Sequence, residues 1–373
     1  LNIGKWTVSF VIMVCLMAIY YVVPNLYGKS EVTALPNYVS KKQVNLGLDL
    51  QGGSHLLLEV DTKTVLKEKS EDLVDQIRLI LRKEKIKYSN LGSKEAGAIV
   101  TISNNEKFLL AKTKIREKID KRISIDSDEN LLNMVFSEPY ILDTKIKTVD
   151  QSIEVVRKRV DESGTKEPLI QRSGKDRILL QLPGVKNPER IKDLLGKTAK
   201  LNFHMVDDDD TKSLSANIAP FGKMIVADIN NEEIKYLLEK KSRVGGENLI
   251  DANASFDPTE GHAVSFRFDT TGAQKFGKAT SKNVGKRFAV VLDGKVITAP
   301  VIRSAITGGS GIITGNFTSQ EATNLAVLLR AGALPAPLNI IEERSVGPGL
   351  GADSISSGKI ASIIGMVLVC LFM

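Results

Sequence analysis

Cysteine is nearly absent from this chain of 373 residues: Cys15 and Cys370 are the only two, and each sits inside an apolar stretch. The polar body between them therefore forms no disulfide and offers no thiolate to zinc, a composition compatible with an oxidising compartment without demanding one. Histidine is as scarce. His55, His204 and His262 lack the spacing of a metal site, and each reads as a surface or partly buried structural residue. No Gly-x-Ser-x-Gly elbow occurs and no Ser-His-Asp set can be drawn, so the chain reads as a non-enzyme. Concentrated charge is missing too. The 51 Lys and Arg against 44 Asp and Glu leave +7, spread along the chain with no aromatic platform among the basic positions. That pattern suits a solvated surface near anionic lipid and argues against a nucleic-acid reader.

Two local patterns suggest ligands and then fail on detail. Residues 272–279 have the spacing of a phosphate loop, but Ala279 stands where such a loop needs Ser or Thr to hold magnesium, and the segment falls inside a helical pattern. The carboxylates at 207–210 lack the Gly and the spaced Glu of a calcium loop and read as a solvated domain junction. No cofactor and no metal are expected.

What the chain does contain is two long apolar runs. Residues 6–23 approach the roughly 20 that cross hydrocarbon as a helix, while 360–373 is shorter and still apolar where the sequence stops. The first run has no Ala-x-Ala-like site behind it, which favours a retained anchor over a cleaved signal. Trp6 at one end and Tyr20, Tyr21 and Tyr27 at the other suit interfacial belts. Charge does not orient the span: Lys5 precedes it, and Lys29, Lys41 and Lys42 follow. A polar block held between two spans would be presented on one side of a bilayer.

Residues 24–45 read as an extended linker broken by Pro24, Gly28 and Pro36. Apolar runs and alternation predict strands over 56–60, 99–102, 131–136, 169–171, 177–182, 200–206, 264–268, 288–292 and 295–297. Helical periodicity predicts helices over 65–85, 108–123, 145–163, 188–196 and 273–284, and one opening at a Thr318 capping box and stopping at Gly332. Arg157, Lys158 and Arg159 suit the C-terminal dipole of the 145–163 helix, with Gly164 as its left-handed stop. Asn187 reads as an N-cap, and 308–311 as a flexible tip. Strands alternating with helices imply an α+β fold of ferredoxin-like units.

The most specific feature is an ordered set of short motifs. Leu46-Gly47-Leu48-Asp49-Leu50-Gln51-Gly52-Gly53 opens the polar body. Residues 157–164, ending at Gly164 and including Arg159, lead to Glu167-Pro168-Leu169-Ile170-Gln171 and then to a run ending Leu182-Pro183-Gly184. Later come Val291-Leu292-Asp293-Gly294-Lys295, then Leu334-Pro335-Ala336-Pro337, then Val346-Gly347-Pro348-Gly349-Leu350-Gly351. In this order and spacing the chain resembles the SecD/SecF family of bacterial protein-export membrane subunits, which are related to RND transporters.

The resemblance implies a cytoplasmic N terminus at 1–5, a first transmembrane helix over 6–23, and a second beginning at 360–373. Between them it implies a periplasmic domain called P1, with a base over 40–206 and 319–350 and an inserted head over 207–318. It further implies an inner-membrane protein that works with SecF, the SecY/SecE/SecG translocon with SecA, and YajC. Such a protein would bind unfolded preprotein and use the proton-motive force to prevent its backsliding. Gly47, Asp49, Gln51, Gly52, Gly53, Arg159, Gly164, Pro168, Gln171, Pro183, Gly184, Pro335, Pro337, Gly347 and Gly351 are the structural or hinge positions carried by the motifs. Phe266, Phe268 and Ile302 are the expected preprotein contacts. An RND-like porter of a small molecule or lipid is the alternative reading.

Overall fold

The computed structural model describes residues 5–22, 52–165, 168–185, 188–210, 213–214, 217–259, 261–346 and 348–372. They divide into two units, one made of the terminal segments up to Gly52 and from Gly347, the other running from Gly53 to Val346. The linker expected at 24–45 lies outside the described residues, as does Asn187. In the terminal unit, helix α1 (Lys5–Val22) has 18 residues and carries exposed apolar side chains, among them Trp6, Phe10 and Tyr21.

The larger unit begins on β1 (Gly53–Val60), whose Leu56, Leu58 and Val60 point into a core while the intervening residues are half-buried. Helix α2 (Thr62–Lys83) follows at once, because the Asp61 carboxylate accepts from the Lys63 and Thr64 amides at 3.1 and 3.2 Å. Its stripe of Leu73, Val74, Ile77, Ile80 and Leu81 packs on a sheet of order β2-β3-β5-β4. That sheet is built from β2 (Tyr88–Lys94), β3 (Gly97–Ile102) and, after helix α3 (Phe108–Lys118), β4 (Ile123–Asp128) and β5 (Leu131–Phe136).

The helix expected to reach residue 123 stops at Lys118, where Ile119 turns extended, and β4 takes over. Strands β2 and β4 are the edges of their sheet and mostly exposed, so neither carries an alternating apolar signal. Helix α4 (Glu138–Glu162) starts seven residues before the predicted onset at 145, because Ser137 caps it and Pro139 fits its first turn. Gly164 takes φ +82, the left-handed stop. The hairpin of β6 (Leu169–Ser173) and β7 (Arg177–Pro183) and helix α5 (Pro188–Gly196) follow as read from the sequence.

Next come β8 (Leu201–Met205), β9 (Lys223–Ala227), β10 (Lys235–Glu239), β11 (Val244–Gly245), β12 (Leu249–Asp257) and β13 (Gly261–Phe268). Helix α6 (Thr270–Lys282), β14 (Phe288–Leu292), β15 (Lys295–Thr298), β16 (Ser310–Phe317) and helix α7 (Ser319–Ala331) complete this part. One sheet runs β11-β8-β14-β15, a second β12-β13-β16, and β9 pairs with β10.

All five residues of β14 are buried. Phe288, Val290 and Leu292 face one cluster, while Ala289 and Val291 face another with Val206, Val226, Leu238 and Val296. A strand covered on both faces reads as an unbroken apolar run, which is why this one was legible. The larger cluster centres on Phe203, whose ring lies 5.5–5.8 Å from those of Phe266, Phe268, Phe276 and Phe288. Strand β8 and helix α7, which the sequence reading put with the base, pack into this same cluster.

The residues expected to be a flexible tip are ordered otherwise: Gly309 packs against Ala273 at φ +66, and Ser310 and Gly311 already belong to β16. The phosphate-loop look-alike is helical, as expected. Its Gly272 brings α6 close to the strands beside it, where an added Cβ would lie 2.6 Å from that of Asn248.

Strand β17 (Leu338–Val346) returns to close the unit, giving the antiparallel order β17-β1-β7-β6 with α4 and α5 over it. In sequence order these four strands are arranged 4-1-3-2, the order of a split βαββαβ unit. In the terminal unit, α8 (Pro348–Phe372) extends twelve residues ahead of the apolar run at 360. Gly351, expected as a structural or hinge position, therefore sits within helical backbone: Pro348 supplies the preorganised first position and the helix continues through it. Among the described residues no helix is long and apolar enough to cross a membrane.

Truncation at the aromatic hub should be costly. Phe203→Ala should lower stability by about 3–5 kcal/mol, read as a shift of the urea midpoint with unchanged slope. A loss near zero would show that the cluster collapses around the gap.

Candidate functional site

Several of the described motif residues gather at two places, one end of the β17-β1-β7-β6 sheet and a joint around Arg159 of α4. At one end, Gly53 pairs with Pro183 on β7 and with Val346 on β17, so three segments far apart in sequence meet. Gly52, Gly53 and Gly184 there have φ of +69, +139 and +67, conformations that side chains resist. Gly47, Asp49, Gln51 and Gly347 lie outside the described residues. Pro168 precedes β6, and Gln171 is an exposed residue of β6 opposite Leu179.

The second place is a joint around Arg159. The sequence assigns this side chain to the C-terminal dipole of its own helix, and in the structure it is fully buried. Its guanidinium reaches instead to the ends of other elements. Nη1 donates to the carbonyls of Leu194, at 2.6 Å, and Lys197; Nη2 donates to those of Thr198 and Gly332, at 3.1 and 3.2 Å. These acceptors lie at or just past the C termini of α5 and α7, where unpaired carbonyls and the helix dipoles present negative charge. Burial pulls the pKa of Arg159 down to about 10, partly offset by the charge of Asp293, so it stays protonated at neutral pH.

Asp293 holds the other side of the joint. It sits in the turn between β14 and β15 with φ +49, followed by Gly294 at +80, the pairing that a type I′ hairpin turn requires. Its carboxylate accepts from the Thr198 hydroxyl and from the Ala199 and Lys200 amides, the latter two at 3.0 and 2.8 Å. Ala199, buried at φ +60, is thereby held in a left-handed conformation. Leu334 N also donates to Thr198 O at 2.8 Å. Pro335 and Pro337 then lead into β17, with Leu334 and Ala336 buried beside them and Pro337 O accepting from Asp61 N at 3.0 Å.

The expected contact residues must be corrected. Phe266, Phe268 and Ile302 are only 4–5% exposed, locked in the aromatic cluster, and present almost no surface to a ligand. Alternation on β13 turned these phenylalanines inward, and no local signal separates an inward from an outward aromatic. Exposed apolar side chains in this region include Ile218, Phe221, Phe256 and Ile312. Asp293, Thr198 and Ala199 were not singled out as a site from the sequence. The Asp-Gly turn signal located Asp293, but its acceptance of amides some 95 residues away has no local trace.

Three of the carboxylates at 207–210 are held by ion pairs. Lys223 pairs with Asp207 and Asp210, and Arg287 with Asp208 at 3.2 Å. The hydrogen bond from Lys223 holds Asp207 below its ordinary pKa, and that from Ser213 does so for Asp210. Among the described residues no group of His, Cys, Asp or Glu is arranged to hold a metal. His204 is buried, its Nδ1 2.8 Å from Glu239 O, and burial lowers its pKa.

Arg159→Met should leave several buried carbonyls unpaired and cost about 3 kcal/mol, read by urea unfolding. Arg159→Lys should recover only part of it, since an ammonium is a point charge without the planar fork. Equal stability of the Lys variant and the parent would show that charge alone serves the joint.

Comparison with known proteins agrees with this architecture. The SecDF P1 head subdomain matches residues 223–336, the N-terminal part of the SecDF P1 domain matches 149–208, and the SecD/SecF GG motif matches 39–64. The protein translocase subunit SecD of Rickettsia conorii is 46% identical over 375 residues, covering 100% of this chain and 71% of the relative. That of Magnetococcus marinus is 38% identical, covering 99% of this chain and 71% of its own. A solved SecDF structure, described as a super-membrane-facing form, is similar with a TM-score of 0.52 at 26% identity, over 96% of this chain and 38% of that one. The chain belongs to the SecD family of protein translocase subunits.

Proposed function

We propose that this chain is the polypeptide-receiving part of a Sec translocation subunit, held at the far face of the bacterial inner membrane. The observation that carries the reading is chain-long kinship to SecD subunits, supported by the pairing of Gly53 with Val346, which brings both ends of the Gly53–Val346 unit to one place. A body tethered at both ends to a bilayer needs that arrangement. No described helix is by itself long and apolar enough to cross a bilayer; helix α1, about 27 Å long at 1.5 Å per residue, and the apolar part of α8 from residue 360 are the segments we propose to lie against lipid. Their exposed side chains, such as Phe10, Met13, Ile363 and Leu368, would be costly in water and suit acyl chains.

In this reading the base is 40–206 with 319–350, the head is 207–318, and the Arg159 joint with the Asp293 turn fixes where the head departs and returns. The head meets unfolded preprotein, and coupling to the proton-motive force, through parts of the complex outside this chain, prevents backsliding. SecF, SecY/SecE/SecG with SecA, and YajC are the partners proposed. Residues Gly52, Gly53, Pro183 and Gly184 shape the end of the sheet where the tethers attach, and Arg159, Pro335 and Pro337 shape the joint. Variable unfolded chains call for exposed, adaptable apolar contacts of modest affinity rather than a deep pocket.

A photo-crosslinker at Phe256 or Ile312 should capture a stalled preprotein, whereas one at Phe266 should not. No adduct from any exposed head position would remove the polypeptide-binding role. Accumulation of a small efflux substrate with normal protein export, on depletion of the subunit, would favour a porter instead.

A further inference from the structure

We propose that a basic cleft on the head is a binding site for acidic segments of an extended polypeptide; the proposal rests on the polypeptide-receiving role and adds a chemical preference to it. The cleft, about 360 Å³, lies between α6 and the chain joining β10 to β11. Lys275, Lys278 and Lys282 line one wall and Lys241 and Arg243 the other. All five side chains are exposed.

Two of them have acidic neighbours. Arg243 pairs with Glu239, and Lys275, which donates to Asn248 Oδ1 at 3.2 Å, lies near enough to Asp269 to act on its charge. Lys241, Lys278 and Lys282 have no ion pair among the described residues, leaving three uncompensated ammonium groups around one cleft. Helix α6 contains no Asp or Glu, whereas α2, α3, α4, α5 and α7 all interleave carboxylates with their basic residues. Lys275, Lys278 and Lys282, spaced by three and four, therefore repel one another on one helix face, an arrangement that disfavours the free helix and that an anion would relieve.

The frame behind these charges is rigid. Asp269 caps α6 by accepting from the Gly272 amide at 2.6 Å, Phe276 and Thr280 bury its inner face, and Arg243 N donates to Phe203 O at 2.8 Å. No aromatic side chain lines the cleft, which removes a stacking platform for nucleic-acid bases. Lysine predominates, and it acts as a mobile point charge rather than the fixed fork that selects one phosphate geometry. Neighbouring helix positions three and four apart lie about 5–6 Å apart, close to the roughly 6–7 Å between alternate side chains of an extended strand. Alternate carboxylates along an extended chain thus match the cleft in spacing and sign.

The test uses the full chain in a neutral detergent and a fluorescent peptide of alternating Glu and Ser, with a Gln-Ser peptide, inorganic phosphate and phosphatidylglycerol vesicles as comparisons. The acidic peptide should bind, its affinity should fall as salt is raised from 50 to about 300 mM through screening, and the Gln-Ser peptide should not bind. Lys278→Glu with Lys282→Glu should weaken binding by roughly tenfold or more, about 1.4 kcal/mol per factor of ten. Lys67→Glu with Lys69→Glu, the same change of net charge on α2, should leave it intact. Lys278→Gln with Lys282→Gln, checked by thermal melting, separates lost charge from lost fold. Equal loss from both Glu pairs, or no loss from the cleft pair, would overturn the site. Capture of vesicles or phosphate through the cleft with no peptide binding would also overturn it. An uncharged apolar peptide that crosslinks to the head while the acidic one does not would refute the cleft and leave the polypeptide-receiving role standing.

Discussion

The pairing of β1 with β17 on one side and β7 on the other is the constraint on which the larger unit depends. Gly53 faces Pro183 and Val346, and Val60 faces Leu338, so a strand at the start of the unit is clamped along its length by its end. Everything from residue 61 to 337 must leave and return within that frame. The lobe containing β2 to β5 is inserted between α2 and α4, and the region from β8 to α7 between α5 and β17. Because the register places Leu56, Leu58, Leu180 and Leu182 inward, a slip of one residue would turn this whole face to solvent.

Arg159 ties the inserted region to that frame without a carboxylate in direct contact. A buried cation is expensive, and here the compensation comes from peptide carbonyls at the ends of two helices. Asp293 grips the adjoining segment, 198–200, with Thr198 bonded to both side chains. The joint is thus a stack of backbone held between a cation and an anion. Such a junction fixes geometry tightly at one point while the outer surfaces remain free to meet partners.

Much of the fold was legible where burial is one-sided or complete over several residues. The α2 stripe, the β6–β7 hairpin, the unbroken apolar β14 and the Thr318 capping box each carry their signal locally. The missed strands β2, β4, β9, β10, β11, β12, β16 and β17 all lie at a sheet edge or in the two-stranded pair, and their existence follows from partners distant in sequence. The same limit misplaced the candidate contacts. Phe266 and Phe268 look like gripping residues in a list of aromatics, yet five phenylalanine rings close on one another and remove them from the surface.

The sequence by itself determined the family, through motifs whose order no single glycine or proline could specify, and the α+β character, through periodicity. It also determined the scarcity of thiols. Only the tertiary structure decided which face of β13 is hidden, that Arg159 is buried against carbonyls from residues 194 to 332, and that five cations share one cleft. The physical reason is range. Periodicity and capping act within one or two turns of chain, whereas burial, carbonyl capture and the summation of charge depend on segments that only folding brings together.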